Sequence, residues 1–409
     1  MEKLNKKICA IICEYNPFHT GHKYLIQKAK EITNANYTIG LMSGNFSQRS
    51  EPTILDKYTR ANIAVLNGID LVLNLPTAFC TNNAEIFALS SIKILNNLNI
   101  NYLAFGMETV NEKATFALAH FLIKEPKHFK IKLKNELKKG VSYNAAIQNT
   151  IKNNIDYFEK DLQKDIVNLV SLPNNVLGLE YIKALIKTKS KIKPIIIKRV
   201  NNYNSKNIIE NFASATKIRD EIINKKFENI KEYLPINSHK FFNNFKLDLN
   251  LFHNLLFYKI KTTNTTTMRQ IYSVNEGLEN RIVNLAKSTY SFDDFNSNLQ
   301  SKRYKQNKLN AVLLNILLDI DKKLIKKMYT IKNNIIVKIL AINKKKNDIL
   351  KYINNKNLIL RKNDIIKVKN KFNKKIMEIE NKANIVYNLI SNAALLENDY
   401  YNKMIKESI

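Results

Sequence analysis

The residues with the clearest chemical potential are two histidines, His19 and His22, which enclose Thr20 and Gly21. They follow the apolar run Ile8–Cys13 and precede a helical pattern, so they lie at a strand–loop–helix junction. Their spacing predicts that both imidazoles project to one side of the helix start. Free backbone N–H groups and the positive end of the helix dipole favour phosphate there, and Gly21 allows a close approach. Two imidazole donors could stabilise charge on an α-phosphate and on departing pyrophosphate.

A metal site is the weaker interpretation of this histidine pair, because no further His, Cys or acidic ligand accompanies it. The three cysteines, Cys9, Cys13 and Cys80, are too few for a disulfide framework or a four-cysteine zinc site. Cys9 and Cys13 also lie in an apolar run, which predicts small buried side chains. We therefore predict no protein metal site.

The elements that must position the histidines alternate between strands and helices. Apolar runs predict strands at residues 8–13, 37–42, 70–75, 102–105 and 194–198. Between them, helices are predicted from His22, near 56–66 and across 86–95, the first with Leu25, Ile26, Ala29 and Ile32 on one face. This rhythm predicts an α/β fold with a parallel sheet and right-handed crossovers, whose ligands bind beyond the carboxyl ends of the strands.

The rest of the chain is predicted to be mostly helical. Residues 111–190 have helical character, residues 201–213 are Asn-rich and loop-like, and another helix starts near Ser214. Beyond about residue 230 strand signals fade and helical runs such as 311–320 dominate. We therefore predict two parts, an α/β domain over 1–225 and a mostly α-helical region over 226–409.

Charge is distributed unevenly between these parts. The 409 residues carry 66 Lys and Arg against 35 Asp and Glu, a net charge of +31. Residues 1–110 contain 10 basic and 8 acidic residues, whereas residues 301–409 contain 25 and 9. A near-neutral front and a basic back predict a catalytic module joined to a module that binds a polyanion, with a solvated Lys-rich surface as the alternative.

Several motifs, taken in chain order, extend the pattern around the histidines. They are the segment 14–22 (EYNPFHTGH), residues 42–46 with 48–49 and 51–52, residues 70–76, 105–106, 172–175 with Gly178, and 213–219. Together they resemble the bacterial tRNA(Met) cytidine acetate ligase family, within the HxGH nucleotidylyltransferase superfamily. The resemblance covers about the first 220 residues and implies a Rossmann-like domain. Where the family has a glycine after Arg49, this sequence has Ser50.

The resemblance implies an activity. The family uses ATP and acetate to form acetyladenylate and pyrophosphate, and then acetylates N4 of the wobble cytidine (C34) of elongator tRNA(Met). We therefore expect ATP, acetate and this tRNA as substrates, with Mg²⁺ arriving mainly with ATP. A cytoplasmic location is expected, since no apolar run approaches the roughly 18–20 residues that span a bilayer. Nothing in these patterns specifies an oligomeric state.

The resemblance also implies site residues. His19 and His22 are the expected catalytic residues. The matching ATP loop and helix start comprise Ile12, Cys13, Glu14, Tyr15, Asn16, Pro17, Phe18, Thr20, Gly21, Lys23, Tyr24 and Leu25. Further expected ATP contacts are Gly106, one of Asn174 and Asn175, Arg199 with Val200, and the S-x-T-x-x-R residues Ser214, Thr216 and Arg219.

Alternatives stay open at several of these positions. Gly106 could be an ordinary turn glycine. We favour Asn175 over Asn174 as the nucleotide contact, with simple N-capping as the other reading. A capping role with a solvent-facing arginine is the corresponding alternative for Ser214 and Arg219.

Contacts with tRNA are expected from basic side chains. Arg49 is one candidate, with a salt bridge to Glu51 equally plausible. The others are Lys322, Lys323, Lys344, Lys345 and Lys346, together with the stretch 367–375. Such phosphate contacts are electrostatic and salt-sensitive, and a solvated helix face is the alternative for each stretch.

Two other functions compete with the ligase. A small-molecule adenylyltransferase acting on nicotinate or pantetheine phosphates would share the HxGH motif, but it has no need of a long basic region. An RNA-binding protein with an inactive nucleotide site is disfavoured by the intact His19, His22, Ser214, Thr216 and Arg219.

Overall fold

The strands of the protein form one mixed sheet. The computed structural model describes residues 6–199, 214–243, 245–301, 304–332, 334–354, 356–360, 362–396 and 398–407. The strands are β1 (Ile8–Cys13), β2 (Tyr37–Ser43), β3 (Leu71–Leu75), β4 (Tyr102–Met107), β5 (Lys193–Lys198), β6 (Val337–Asn343), β7 (Leu358–Ile359) and β8 (Ile405–Glu407).

Helices cover both faces of the sheet's first half and build most of the second half. Those up to residue 223 are α1 (Thr20–Thr33), α2 (Lys57–Leu66), α3 (Thr77–Cys80), α4 (Ala84–Asn96), α5 (Glu112–Lys124), α6 (Lys127–Lys138), α7 (Tyr143–Lys152), α8 (Lys160–Ser171), α9 (Pro173–Lys187) and α10 (Ala215–Ile223). The later ones are α11 (Leu249–Thr262), α12 (Thr265–Met268), α13 (Leu278–Ser288), α14 (Phe292–Leu299), α15 (Gln306–Leu318), α16 (Lys322–Thr330), α17 (Lys362–Ile366) and α18 (Lys371–Ile390). Short 3₁₀ turns occupy Ile155–Tyr157, Phe227–Tyr233, Ile236–Phe241, Lys344–Lys351 and Asp399–Tyr401.

The strand order determines where a ligand-binding crevice can open. The order is β5-β4-β1-β2-β3-β6-β7, with β8 also paired to β6, and the first five strands are mutually parallel. The chain leaves β1 toward β2 on one side and later returns to β4 on the other. A crevice therefore opens between the carboxyl ends of β1 and β4, where ligands of such sheets bind. The predicted α/β class is confirmed.

The elements of the first half agree closely with the predicted ones. Strands β1 to β5 lie within a residue or two of their predicted bounds, and the apolar runs of β1, β2 and β3 are buried on both faces of the sheet. One predicted core position is wrong, since Ile32 is 55% exposed at the end of α1. The predicted loop 201–213 lies outside the described residues.

The second half is mostly helical, as predicted, but it also contributes strands. Strand β6 lies antiparallel beside β3, pairing Ile342 with Leu71 and Ala341 with Val72. The sequence analysis, in which strand signals fade beyond about residue 230, missed β6, although residues 335–342 are apolar except for Lys338 and carry a strand signal. The division at about residue 225 stays a prediction, since β6 extends the sheet of the first part. No helix in the described segments has the length and apolar character needed to cross a membrane.

A buried cluster of charges joins the two halves. Lys57, at the start of α2, forms ion pairs with Asp399 at 2.8 Å and with Glu380 of α18 at 3.4 Å, and all three side chains are at most 1% exposed. Lys338 of β6 donates to the carbonyl oxygen of Asp399, and the Tyr58 hydroxyl donates to its carboxylate. Burial lowers the pKa of Lys338 to about 8. Each charge is tolerated because opposite charges and hydrogen bonds surround it.

We expect Asp399→Ala to destabilise the protein by about 3–5 kcal/mol, because it leaves two lysine ammonium groups buried beside a single carboxylate. Equilibrium unfolding in urea at neutral pH measures the change. Glu31→Ala, which breaks the exposed Lys28–Glu31 pair, is the control and should leave the unfolding midpoint unchanged. Equal midpoints for the two variants would contradict a stabilising role for the cluster.

Candidate active site

A cleft of about 250 Å³ lies at the crevice between β1 and β4. Its walls come from elements that are distant in sequence: the ends of β1, β4 and β5, the first turns of α1, α9 and α10, and the loop after β2. Such a site requires several loops to be held in register.

His19 and His22 cap α1 reciprocally. His19 is the N-cap residue, and its Nδ1 accepts a hydrogen bond from the Gly21 amide at 3.1 Å. The Nδ1 of His22 accepts one from the His19 amide at 3.2 Å. This arrangement is a capping box in which imidazoles replace the usual hydroxyl and carboxylate groups. The two ring centroids lie 3.8 Å apart, so the cap also fixes the spacing of the imidazoles.

The caps determine which ring nitrogen carries the proton. An Nδ1 that accepts a hydrogen bond has no proton in the neutral ring, so the proton lies on Nε2. Both rings line the cleft and can therefore act as Nε2–H donors toward it. Burial, reinforced by the charges of Arg199 and Arg219, lowers the pKa of His19 to about 3. Burial and the neighbouring His19 also hold the pKa of His22 well below its usual value.

The prediction of free amides at the start of α1 is wrong in part. The amides of His19 and Gly21 are both engaged by the histidine rings. The imidazole Nε2–H groups are therefore the donors that this end of α1 offers to the cleft.

The loop between β1 and α1 is tied down at Asn16. Its side-chain Oδ1 accepts from the Ile54 amide at 2.8 Å, and its carbonyl oxygen accepts from Nη1 of Arg219 at 2.9 Å. Tyr15 and Phe18 are buried behind the histidines, with ring centroids 4.7 Å apart. These contacts place the loop beside the helix α10, which carries the second predicted motif.

The residues of the second motif, at the start of α10, both cap the helix and line the cleft. Ser214 is the N-cap, its Oγ accepting from the Lys217 amide, and the Thr216 hydroxyl oxygen accepts from Nη2 of Arg219 at 3.1 Å. Each hydroxyl keeps its own proton for donation. Ser214, Thr216 and Arg219 all line the cleft, so capping and a ligand-binding role are compatible.

Arg60, which the sequence analysis missed, holds together the two loops that follow β1 and β2. It is fully buried, and its guanidinium donates to the carbonyl oxygens of Glu14, Ser43, Gly44 and Leu55. These acceptors follow β1 and β2 at the cleft edge of the sheet. No local sequence pattern indicated this buried role, because an arginine within a helical pattern predicts an exposed side chain.

The loop after β2 forms another wall of the cleft. The Gln48 amide donates to the Glu14 carboxylate, and Arg49 lines the cleft. Ser50, which replaces the family's glycine, has a φ of 62°, in the left-handed region that glycine adopts most easily. Its hydroxyl donates to the Thr81 carbonyl oxygen at 2.8 Å, which anchors this backbone without a glycine.

Gly106 and Arg199 are neighbours across β4 and β5. A Cβ at Gly106 would lie 3.0 Å from Cγ of Arg199, so the arginine stem occupies the space that the glycine leaves. Both residues line the cleft. A plain turn role is excluded for Gly106, because it lies inside β4.

The structure distinguishes the two asparagines at the start of α9. Asn174 lines the cleft, whereas Asn175 is fully buried behind it. The Asn175 Oδ1 accepts from the amides of Glu108 and Thr109, and its Nδ2 donates to Thr109 and Asn168. The side chain of Asn175 therefore makes its hydrogen bonds within the protein. The structure gives no support for preferring Asn175 to Asn174 as the nucleotide contact.

Most predicted ATP contacts lie on the cleft wall. The predicted residues that line it are Ile12, Cys13, Glu14, Tyr15, Asn16, His19, Gly21, His22, Tyr24, Leu25, Gly106, Asn174, Arg199, Ser214, Thr216 and Arg219. The predicted residues away from it are Pro17, Phe18, Thr20, Lys23 and Asn175, and Val200 lies outside the described residues. Phe87, Leu177 and Tyr181 line the cleft without having been predicted, since apolar helix positions indicate only a core.

The predicted lysines are not brought to the cleft. Lys344, Lys345 and Lys346 follow β6, whose last residue, Asn343, donates to the carbonyl oxygen of Asp70 just before β3. They therefore lie at the amino edge of the parallel strands, opposite the cleft. Lys322 and Lys323 begin α16 and do not line the cleft either. Within the described residues, no group of three or more His, Cys, Asp or Glu side chains is placed to hold a metal ion.

We expect His19→Asn to reduce the pH dependence of stability. A folded-state pKa of about 3 means that the folded wild-type protein binds fewer protons than the unfolded chain, so its stability is complete above about pH 6.5 and falls as pH decreases. Asn keeps the N-cap but cannot titrate. Between pH 7 and pH 5 the variant should therefore lose about 2 kcal/mol less than the wild type.

Urea unfolding at both pH values measures this difference. His120→Asn, which changes an exposed histidine of α5, should behave as the wild type does. An unaltered pH dependence in His19→Asn would show that His19 is not held neutral by the fold.

Comparisons with known proteins show similarity along almost the whole chain. Residues 6–402 match the family model described as HIGH Nucleotidyl Transferase. Proteins named tRNA(Met) cytidine acetate ligase from Clostridium botulinum (strain Langeland) and Clostridium perfringens (strain ATCC 13124) are 33% and 35% identical, covering 98% and 96% of this chain and 99% and 98% of their own lengths.

Solved structures agree as well. The crystal structure of Thermotoga maritima TmcAL bound with alpha-thio ATP matches with a TM-score of 0.87 and 27% identity, covering 98% of this chain and 100% of that one. The apo form of the same protein matches with a TM-score of 0.88. This chain therefore belongs to the HIGH nucleotidyl transferases and, within them, to the tRNA(Met) cytidine acetate ligase family.

Proposed function

We propose that this chain activates acetate with ATP and transfers the acetyl group to N4 of the wobble cytidine of elongator tRNA(Met). The observation that carries the proposal is the pair of capped imidazoles, which present Nε2–H donors at the switch point of the sheet. The full-length similarity to tRNA(Met) cytidine acetate ligases supports the choice of substrates.

The first step forms acetyladenylate. A carboxylate oxygen of acetate attacks the α-phosphorus of ATP, and the bond from that phosphorus to the bridging oxygen of pyrophosphate breaks. Negative charge grows on the α-phosphate oxygens and on the departing pyrophosphate. The Nε2–H groups of His19 and His22 donate to this charge, and their neutral state requires no proton to be lost first. Ser214 and Thr216 supply hydroxyl donors, and Arg199 supplies positive charge.

The second step transfers the acetyl group. The exocyclic amine of the cytidine attacks the acetyl carbon, the bond from that carbon to the AMP oxygen breaks, and the amine loses one proton. AMP leaves readily because its phosphate carries the charge. Activation is necessary, since a free carboxylate is a poor electrophile.

The remaining partners follow from the substrates. Mg²⁺ enters with ATP, held mainly by phosphate oxygens and water, and neutralises phosphate charge. We place the reaction in the cytoplasm, where tRNA and ATP are both available.

Incubation of the protein with ATP, labelled acetate and tRNA(Met) tests the proposal. Label should appear on cytidine only when ATP is present, with release of AMP and pyrophosphate. Parallel reactions with nicotinate mononucleotide or phosphopantetheine test the competing adenylyltransferase function. Dinucleotide or dephospho-coenzyme product without labelled cytidine would overturn the proposal.

We expect His22→Gln to slow acetate-dependent ATP–pyrophosphate exchange by about 10²–10³-fold, the loss typical when a transition-state donor is removed. Glutamine at this position still accepts from the His19 amide, as in an ordinary capping box, so the fold is retained. tRNA affinity should be unchanged, because the imidazole faces the nucleotide site. A normal exchange rate would remove His22 from the mechanism.

We also propose that basic side chains of the second half contact the tRNA backbone. Replacing Lys322 and Lys323 with Gln, or Lys344, Lys345 and Lys346 with Gln, should weaken tRNA binding and lower its salt dependence by about one unit of slope per lysine in contact. Binding titrations at several salt concentrations measure this. Lys113→Gln, which changes an exposed side chain of α5, is the control. An unchanged slope would exclude the altered cluster from the interface.

A further inference from the structure

A carboxylate lies behind the cleft at the start of α9. Glu108, just after β4, accepts from the Asn175 amide at 2.9 Å and from the Asn174 amide at 3.4 Å. It thereby caps α9, whose N-cap residue, Leu172, has no side-chain acceptor. Glu108 itself does not line the cleft, so this carboxylate acts on a ligand only through its neighbours.

The same carboxylate sets the orientation of one amide side chain. Nδ2 of Asn174 donates to Oε1 of Glu108 at 2.6 Å. A carboxylate has only acceptors, so the amide must turn its NH₂ group toward Glu108 and its Oδ1 away. No donor among the described residues bonds to that Oδ1. A hydrogen-bond acceptor is therefore held ready at the cleft wall.

The wall around this acceptor suits an aromatic base. Asn174, Leu177, Gly178 and Tyr181 follow one another at helical spacing on the cleft face of α9. Leu177 offers an apolar surface for a planar ring, and Gly178 lets α9 pack closely on β4, since a Cβ there would collide with Met107. Asn174 is the amide at the edge of this surface.

We propose that Glu108 is a positioning residue that holds Asn174 with its Oδ1 toward the base, so that the cleft selects a purine carrying a 6-amino group and rejects a 6-oxo purine. The 6-amino group of adenine donates to Oδ1. A 6-oxo group would bring two acceptor oxygens together at the half-buried Asn174 and leave both without a donor, which weakens binding. This inference rests on the proposed function, because it assigns the base of the ATP substrate.

Binding of ATP and inosine triphosphate, which differ at the 6 position, tests the proposal by calorimetric titration without acetate or tRNA. The unaltered protein should bind ATP about 10- to 100-fold more tightly. In Glu108→Gln, the new NH₂ group allows Asn174 to turn over and present its own NH₂ group to the cleft. The preference for ATP should then fall at least about tenfold, with weaker ATP binding and undiminished inosine triphosphate binding.

A purely structural effect would weaken both nucleotides equally. Glu112→Gln, at the exposed start of α5, is the matched control and should keep the wild-type preference. Asn174→Ala should abolish the preference, and adding Glu108→Gln to it should have no further effect on the ratio. This second variant keeps the test valid if Glu108→Gln fails to fold.

An unchanged ratio of ATP affinity to inosine triphosphate affinity in Glu108→Gln or Asn174→Ala would overturn this inference but not the proposed function. Equal binding of both nucleotides to the unaltered protein would have the same consequence. Failure of the unaltered protein to bind either nucleotide would overturn the proposed function and this inference together.

Discussion

The active site depends on the reciprocal cap at the start of α1. Each imidazole uses Nδ1 to accept a hydrogen bond from a backbone amide, and this constraint sets ring position and tautomer, while burial keeps both rings neutral. Were either ring to turn over, the helix end would lose a cap and the cleft would lose an N–H donor. Helix stability and the proposed binding of phosphate by the histidines therefore depend on the same two hydrogen bonds.

The cap positions the imidazoles at the cleft only if the surrounding loops are held in place. Buried charged residues hold these loops. Arg60 gathers the carbonyl oxygens that follow β1 and β2, and Arg219 joins the loop after β1 to α10. The Lys57–Asp399–Glu380 cluster then fastens the start of α2 to the last part of the chain. Polar groups buried in this way specify one arrangement, because any shift leaves a charge or a carbonyl unsatisfied.

The second half of the chain also supports the structure of the first half. Its helices and β6 complete the sheet and enclose the charge cluster, so the basic region is continuous with the catalytic fold. Residues 301–409, which carry an excess of positive charge, include β6 and α18, and both elements pack against the first half.

Local patterns in the sequence determined the parallel strands, the first helices and the histidine motif. Strand burial and helix amphipathicity repeat over a few residues, so the pattern of apolar residues reveals them. Motif spacing likewise indicated His19, His22 and the residues around Ser214. Ser50 shows a limit, since its left-handed backbone is stabilised by a bond to Thr81 that no local pattern contains.

Tertiary structure alone decided which residues meet across long separations. The pairing of β6 with β3, the burial of Arg60 and Lys57, and the choice between Asn174 and Asn175 all depend on partners far away in the chain. A sequence pattern records whether a side chain is polar, but not which distant group satisfies it. The final geometry is set by pairing every buried donor and acceptor at once, and only the folded chain does this.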